Sequence, residues 1–171
     1  LMHNIFAMGI ISVLWSAIGY SLAFGGSGPI IGDFSHLFLG GLSDDGSAIP
    51  MMAFVAFQMM FAVITPALIT GATADRMKFS AYCILIGVWA VVVYPTVAHW
   101  VFSPNGWLFQ EGALDFAGGA VVHINAGVAA LVGCILIGKR IGLGKENMAP
   151  HSMVMTMIGA SMLWVGWFGF N

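Results

Sequence analysis

The chain has 171 residues, of which 60% are hydrophobic and 7% are charged, and its formal net charge at pH 7 is −2. About a quarter of the residues of a soluble domain are charged, so this composition excludes an ordinary soluble protein, and no nucleic-acid partner is predicted. The mean hydropathy of +0.96 indicates a membrane protein that contacts lipid.

The charged residues divide the chain into five long uncharged stretches. Each stretch can hold a spanning helix of about 20 residues. We predict membrane helices at 4–24, 50–73, 79–101, 117–137 and 152–171. The stretches are apolar throughout, whereas the strands of a membrane barrel are about 10 residues long and alternate in polarity. The sequence therefore predicts an all-α, polytopic membrane helix bundle. Because the chain stops inside an apolar stretch, residues 1–171 are expected to form a single but incomplete transmembrane domain.

The basic residues predict the orientation of these helices. They are Arg76, Lys78, Lys139, Arg140 and Lys145. All five lie in the connections after the second and fourth predicted helices. Because cytoplasmic loops are enriched in Lys and Arg, the loops 75–78 and 139–151 are predicted to be cytoplasmic, with the protein in the plasma or inner cell membrane.

The fourth predicted helix carries a histidine inside a run without charge. At about 1.5 Å per residue, His123 lies about 12 Å below Asp115, close to the middle of a hydrocarbon layer about 30 Å thick. An ionisable side chain is costly there and marks a functional candidate. Gly119 and Gly127, four residues to either side, are predicted to share its helix face. They either let another helix pack closely or leave a narrow lumen beside the imidazole.

Chemistry limits what could pass this histidine. A neutral imidazole offers one donor and one acceptor, which suits a small neutral guest. A dehydrated cation would meet a large desolvation cost, so deprotonation at entry is expected. Asp115 is predicted to cap the helix and also to add negative potential that favours a cation at the outer mouth.

Aromatic side chains offer a cation site nearer the surface. Phe57 and Phe61 are four residues apart on the second predicted helix and therefore share a face. A ring face attracts a cation within about 6 Å. Ordinary core packing is the alternative for this pair, and for Phe102 and Phe170 at the ends of the third and fifth predicted helices.

The segment DFAGGAVVHINAG, from Asp115 to Gly127, resembles the signature of the ammonium transporter family, which includes methylammonium permeases and Rhesus proteins. Further motifs of the family follow the same order along the chain. These are GYSLAFG at 19–25, FQ at 57–58, GATADR at 71–76, Pro95 with His99-Trp100, GKR at 138–140, GLGKE at 142–146 and GWFGFN at 166–171.

The resemblance implies a fold of eleven spanning helices, built from two inverted five-helix halves and a last helix. It implies a homotrimer with one pore in each subunit, and this chain would supply spans two to six. The implied function is transport of ammonium or ammonia, with methylammonium as an analogue. No enzymatic activity, metal or cofactor is implied.

The resemblance also assigns roles to residues. His123 would be the first of two paired pore histidines, and Asp115 a carboxylate that transport requires. Phe61 and Phe170 would be the two stacked rings that gate the pore, with Phe57 nearby in the outer vestibule. Phe102 falls where many members have a tryptophan in the cation-recruitment site, so weaker recruitment is expected.

Two other functions compete with transport. The first is ammonium sensing, reported to a trimeric cytoplasmic regulatory protein of the PII class, which the family is known to bind. The second is a membrane haem protein with histidines as axial ligands. A haem would need two deep histidines on facing helices, and only His123 is deep, so this alternative is disfavoured.

Overall fold

The computed structural model describes residues 2–44, 46–149 and 151–170, and within them the regular structure is entirely helical. Five helices are long and apolar enough to cross a membrane: Met2–Phe24, Met51–Thr73, Phe79–Gln110, Gly119–Ile137 and Met153–Phe170. We refer to them as the first to the fifth helix. The predicted all-α class with five potential membrane spans is confirmed.

The third helix differs most from its predicted course. Instead of one element over 79–101, it consists of Phe79–Val92 and Tyr94–Phe102, followed by a short segment at Trp107–Gln110. Pro95, at the start of the second segment, has no N–H to bond to the preceding turn and therefore interrupts the helix. The described ends of the other four helices lie within two residues of the predicted ends.

Two helices contain a π-helical turn, which the sequence does not predict. One covers Trp15–Gly19 in the first helix, and the other covers Gly119–Ile124 in the fourth. Trp15 is buried, and its indole N–H donates to the carbonyl oxygen of Val55 at 3.2 Å. The first π turn therefore joins the first helix to the second.

By backbone packing the chain divides into two units, Leu1–Gly138 and Lys139–Asn171. The first unit has a core around the side chains of Ile11, Trp15, Tyr82, Ile86 and Tyr94. The second unit contains the fifth helix, whose apolar side chains are largely exposed. The prediction of a single domain over 1–171 stays a prediction.

A glycine-rich loop, residues 25–44, follows the first helix and is tied to the C-terminal end of that helix. The Ser21 hydroxyl donates to the carbonyl oxygen of Asp33 at 2.7 Å. The backbone amide of Gly32 donates to the carbonyl oxygen of Leu22, also at 2.7 Å. A Cβ on Gly32 would lie 2.5 Å from the Ser21 carbonyl oxygen, so only glycine fits. Hydrogen bonds from Ser35 lower the pKa of the exposed Asp33 carboxyl.

At the C-terminal ends of the second and fourth helices, one guanidinium group joins the two helices. Arg76 donates to the carbonyl oxygens of Ala72 and Gly138 and contacts the sulfur of Cys134 at 3.2 Å. A cation stabilises helix C-termini, whose last carbonyls lack partners within the helix. Arg76 thereby fixes the helix that carries His123 against the helix that carries Phe61.

Candidate functional site

The site begins at the N-terminus of the fourth helix, where Asp115 binds three backbone amides. Its Oδ1 accepts from Gly119 at 2.7 Å, and its Oδ2 accepts from Ala120 at 2.8 Å and Val121 at 3.0 Å. These amides have no partner within a helix, and a negative charge is favourable at this end. The predicted capping is therefore present, although Asp115 lies three residues before the N-cap residue Gly118.

The turn after this cap is π-helical and carries His123. The carbonyl oxygen of Gly118 accepts from the amides of both Val122, at 2.9 Å, and His123, at 3.0 Å. The second of these bonds spans five residues, as in a π-helix. The prediction that Gly119 and Gly127 share a helix face with His123 stays a prediction. From Asn125 to Ile137 the helix is α-helical.

The π turn presents His123 on an open face of the first unit. His123 is exposed together with Gly119 and Gly127, whereas Val121 and Val122 are buried on the other side of the turn. A Cβ on Gly127 would meet no described heavy atom within 4 Å. The sequence allowed two interpretations of these glycines, close packing of another helix or a narrow lumen. Among the described residues, no helix packs closely at Gly127.

Three of the predicted aromatic residues form one group, which we call the aromatic cluster: Phe57, Phe61 and Phe102. The ring centroids of Phe57 and Phe61 are 5.1 Å apart with an interplanar angle of 81°, and those of Phe61 and Phe102 are 5.7 Å apart at 55°. Phe61 is 8% exposed and Phe57 is 44% exposed. Phe61 thus anchors the cluster in the core, while Phe57 presents aromatic surface to the outside of the unit.

The aromatic cluster adjoins the turn that carries His123. A Cβ placed on Gly118 would lie 3.2 Å from Cε1 of Phe61. Five of the six predicted site residues therefore belong to one unit of the structure, around the start of the fourth helix. The sixth, Phe170, lies in the unit Lys139–Asn171, where its ring centroid is 5.0 Å from that of Trp167. Its pairing with Phe61 stays a prediction.

Sequence reasoning gave no role to two amide side chains beside the predicted residues. Gln58 follows Phe57, and Asn125 lies two residues after His123. Gln58 Oε1 and Asn125 Nδ2 are buried without a hydrogen-bond partner among the described residues. Buried polar atoms normally have a partner, which can be water. The only sequence signal for either amide was its place in a family motif.

His99, in the third helix, is completely buried. One ring nitrogen lies 2.8 Å from the carbonyl oxygen of Ala23, and the other lies 2.6 Å from that of Gly28. The sequence predicts a hydrogen-bonding residue at an interface rather than a pathway residue, and the structure places one ring nitrogen against the end of the first helix and the other against the glycine-rich loop. His99 therefore fastens both to the third helix.

Among residues 2–44, 46–149 and 151–170, histidine, cysteine and acidic side chains nowhere gather in groups of three or more that could bind a metal ion. The arrangement is instead an aromatic cluster, a capped helix end and an exposed imidazole. These groups suit a small cation at the rings and a small neutral molecule at the imidazole.

Comparison with known proteins identifies the family. Residues 1–171 match the family model described as Ammonium Transporter Family. The chain is 46% identical to an ammonium transporter of Bacillus subtilis, over 99% of the chain and 42% of that relative. It is 44% identical to one from Mycobacterium tuberculosis, over 100% of the chain and 42% of that protein.

Solved structures give the same result. The crystal structure of Candida albicans Mep2 superimposes with a TM-score of 0.88 at 34% identity, covering 98% of this chain and 38% of Mep2. A structure titled Sensor Amt Protein superimposes with a TM-score of 0.87 at 33% identity, covering 99% of this chain and 44% of that protein. The chain therefore has the helical membrane fold of these proteins and spans about two fifths of their length.

The family model covers every residue, and relatives above 40% identity are named as transporters and not as enzymes. The five apolar helices are those of a multi-pass membrane protein. The chain belongs to the ammonium transporter family.

Proposed function

We propose that the protein to which this chain belongs transports ammonium nitrogen across the plasma or inner cell membrane, and that this chain supplies the outer recruitment site and the first pore histidine. Ammonium is attracted by the faces of the aromatic cluster and by the Asp115 carboxylate. It loses a proton near Phe61, and neutral ammonia then passes the imidazole of His123. Methylammonium follows the same path as an analogue.

The observation that carries this proposal is the exposure of His123 on a turn that begins beside the aromatic cluster. The imidazole is exposed on a face without close contacts at Gly127, and the turn that carries it adjoins Phe61. A histidine wedged among side chains could not meet a passing molecule. His123 has the exposure that the pathway requires, and Asp115 lies at the start of the same helix.

Electrostatics favours a neutral molecule at the imidazole. The fourth helix has no charged residue between Asp115 and Lys139, so an ammonium ion there would lose its hydration without gaining a counter-charge. The desolvation cost of such an ion is large, whereas ammonia needs one donor and one acceptor. Deprotonation before His123 avoids most of this cost.

The remaining parts of the proposal rest on family membership. Phe170 forms the second gate ring with Phe61, the subunits assemble as a homotrimer, and the loops 75–78 and 139–151 face the cytoplasm, where a PII-type regulatory protein binds. A primary role as an ammonium sensor is not favoured, because the relatives at 44–46% identity are named ammonium transporters.

Uptake of radiolabelled methylammonium tests the proposal. The full natural protein is produced in cells that lack their own ammonium transporters, and uptake is compared with that of cells carrying an empty vector. We expect uptake above this background, with competition by ammonium but not by sodium at the same concentration. If the protein is present in the membrane and uptake is no higher than in the empty-vector cells, the proposed function is contradicted.

A further inference from the structure

We infer that both ring nitrogens of His99 carry a proton, so that this buried side chain is an imidazolium cation that fastens two segments of backbone to the third helix. The inference concerns a side chain outside the proposed pathway. It does not rest on the proposed function, and its test does not measure transport.

The first observation is that the ring faces two hydrogen-bond acceptors. Nδ1 of His99 lies 2.8 Å from the carbonyl oxygen of Ala23, and Nε2 lies 2.6 Å from that of Gly28. A carbonyl oxygen only accepts hydrogen bonds, and a neutral imidazole has a single N–H to donate. Both nitrogens can donate only if the ring carries both protons.

The second observation is the length of these contacts. Hydrogen bonds from N–H to oxygen are most often about 2.9–3.0 Å long, and a charged donor shortens them to about 2.7–2.9 Å. Neither contact of His99 is longer than the charged range. In a neutral ring, one nitrogen would turn its lone pair toward a carbonyl oxygen at such a distance, and the two groups would repel each other.

His36 gives a comparison within the same chain. The one carbonyl contact of its ring among the described residues runs from Nδ1 to the oxygen of Gly40, at 3.2 Å. A neutral imidazole satisfies a single acceptor with its single N–H. The geometry at His36 therefore requires no second proton, whereas that at His99 does.

The third observation is that His99 lies where two helical segments end. It is in the last turn of Tyr94–Phe102, and Ala23 is in the last turn of Tyr20–Phe24. The last carbonyls of a helix lack partners within the helix and carry partial negative charge, which favours a cation beside them. Both helix ends therefore favour a positive charge on this ring.

Burial opposes a charged ring, because a cation taken out of water needs hydrogen bonds or an opposite charge. His99 is completely buried, and its partners are backbone oxygens rather than a carboxylate. Hydrogen bonds from a charged donor are roughly twice as strong as neutral ones, and this ring is placed to make two. The titratable side chains on the surrounding elements are Tyr20, Asp33, His36, Glu111 and Asp115.

The cation holds a part of the molecule that adjoins the aromatic cluster. Two further hydrogen bonds tie the same loop, from Asn105 Nδ2 to the Gly26 oxygen at 2.9 Å and from the Trp107 amide to the Pro29 oxygen at 3.1 Å. Phe102 lies between His99 and these attachments in the chain. The charged ring therefore helps to fix the segment that supplies Phe102 to the cluster.

Solid-state nitrogen NMR of the full natural protein in lipid bilayers measures the protonation of each ring nitrogen. The histidine nitrogens and the carbonyl carbon of alanine are isotopically labelled, and spectra are recorded at about pH 8, where an ordinary imidazole is about 3% protonated. Dipolar coupling to an alanine carbonyl carbon identifies the ring of His99, because its Nδ1 lies against Ala23. This assignment needs no substitution.

We expect both nitrogens of this ring to have the chemical shift of a protonated nitrogen, with no signal from an unprotonated one. In a second sample, labelled at the carbonyl carbon of glycine instead, the other nitrogen should couple to Gly28. A ring with one protonated and one unprotonated nitrogen would overturn the inference. Absence of coupling between any histidine ring and an alanine carbonyl would overturn it as well.

Two variants check the assignment. His99→Gln should remove the pair of protonated signals that couples to alanine, and His36→Gln, the matched control in the loop, should leave the pair unchanged. If His99→Gln does not reach the membrane, Ala23→Gly should abolish the coupling to alanine while the ring keeps both protons. Methylammonium uptake by His123→Ala tests the proposed function separately, and its result does not alter the NMR comparison.

Discussion

His99 and His123 both lie within apolar helices, but one side chain is buried and the other is exposed. Each ring nitrogen of His99 lies against a backbone carbonyl oxygen, and the side chain is completely buried. His123 is exposed on a π turn, and no described residue forms a hydrogen bond with its ring. A histidine held by the backbone on both sides is structural, whereas one that faces an opening is available to a passing molecule.

The largest effect expected on stability is that of His99→Ala. The change removes the ring that lies against the carbonyl oxygens of Ala23 and Gly28 and creates a cavity, at a cost of about 2–4 kcal/mol. Thermal unfolding of the purified natural protein measures the loss. His99→Gln keeps a donor and should recover part of the stability. Wild-type melting of His99→Ala would show that the two histidines do not differ in the way described.

Asp115→Ala should lower the free energy of unfolding less than His99→Ala does, but it should lower transport more. Loss of the cap costs about 1–2 kcal/mol, and loss of the negative charge at the mouth reduces uptake about tenfold or more. Asp115→Asn separates these effects in part, because its amide oxygen can still accept from Ala120 and Val121, while the charge and the bond from Gly119 are lost. Full uptake by Asp115→Asn at normal protein levels would limit the role of Asp115 to capping.

Phe57→Ala should act on recruitment rather than on folding, since this ring is the exposed member of the aromatic cluster. A cation–π contact of about 0.5–1 kcal/mol corresponds to a rise of about two- to fivefold in the half-saturation concentration for methylammonium. Phe57→Tyr keeps the ring face and serves as the control. An unchanged half-saturation concentration in Phe57→Ala would exclude this ring from the cation site.

The smallest effect is expected from Phe102→Trp. Tryptophan offers the strongest cation–π surface and adds an indole N–H donor, so the half-saturation concentration should fall by about twofold. Concentration-dependent uptake detects this change. A twofold rise would indicate that the larger ring obstructs the vestibule instead of improving recruitment.

The five helices could be predicted because uncharged apolar runs of spanning length have few other solutions. The break after Val92 could also have been found, since Pro95 marks it. The capping by Asp115 followed from its place before a helix. These features depend on residues close together in the sequence, for which local rules suffice.

The π turn and the partners of His99 could not be predicted in this way. Gly118 has a left-handed conformation at a point where a Cβ would lie 3.2 Å from Cε1 of Phe61, a residue distant in sequence, so local rules do not reveal it. Likewise, the carbonyl oxygens beside His99 belong to residues 71 and 76 positions away. The aromatic cluster was expected from the family resemblance, while its proximity to the turn that carries His123 required coordinates.

The account depends most on His123 as part of the ammonia pathway. Methylammonium uptake by the His123→Ala variant of the full natural protein tests this most directly, with His36→Ala, in the glycine-rich loop, as a matched histidine control. We expect normal membrane assembly of both variants, with uptake lost or strongly altered only in His123→Ala. Wild-type uptake by His123→Ala at equal protein levels would contradict the account.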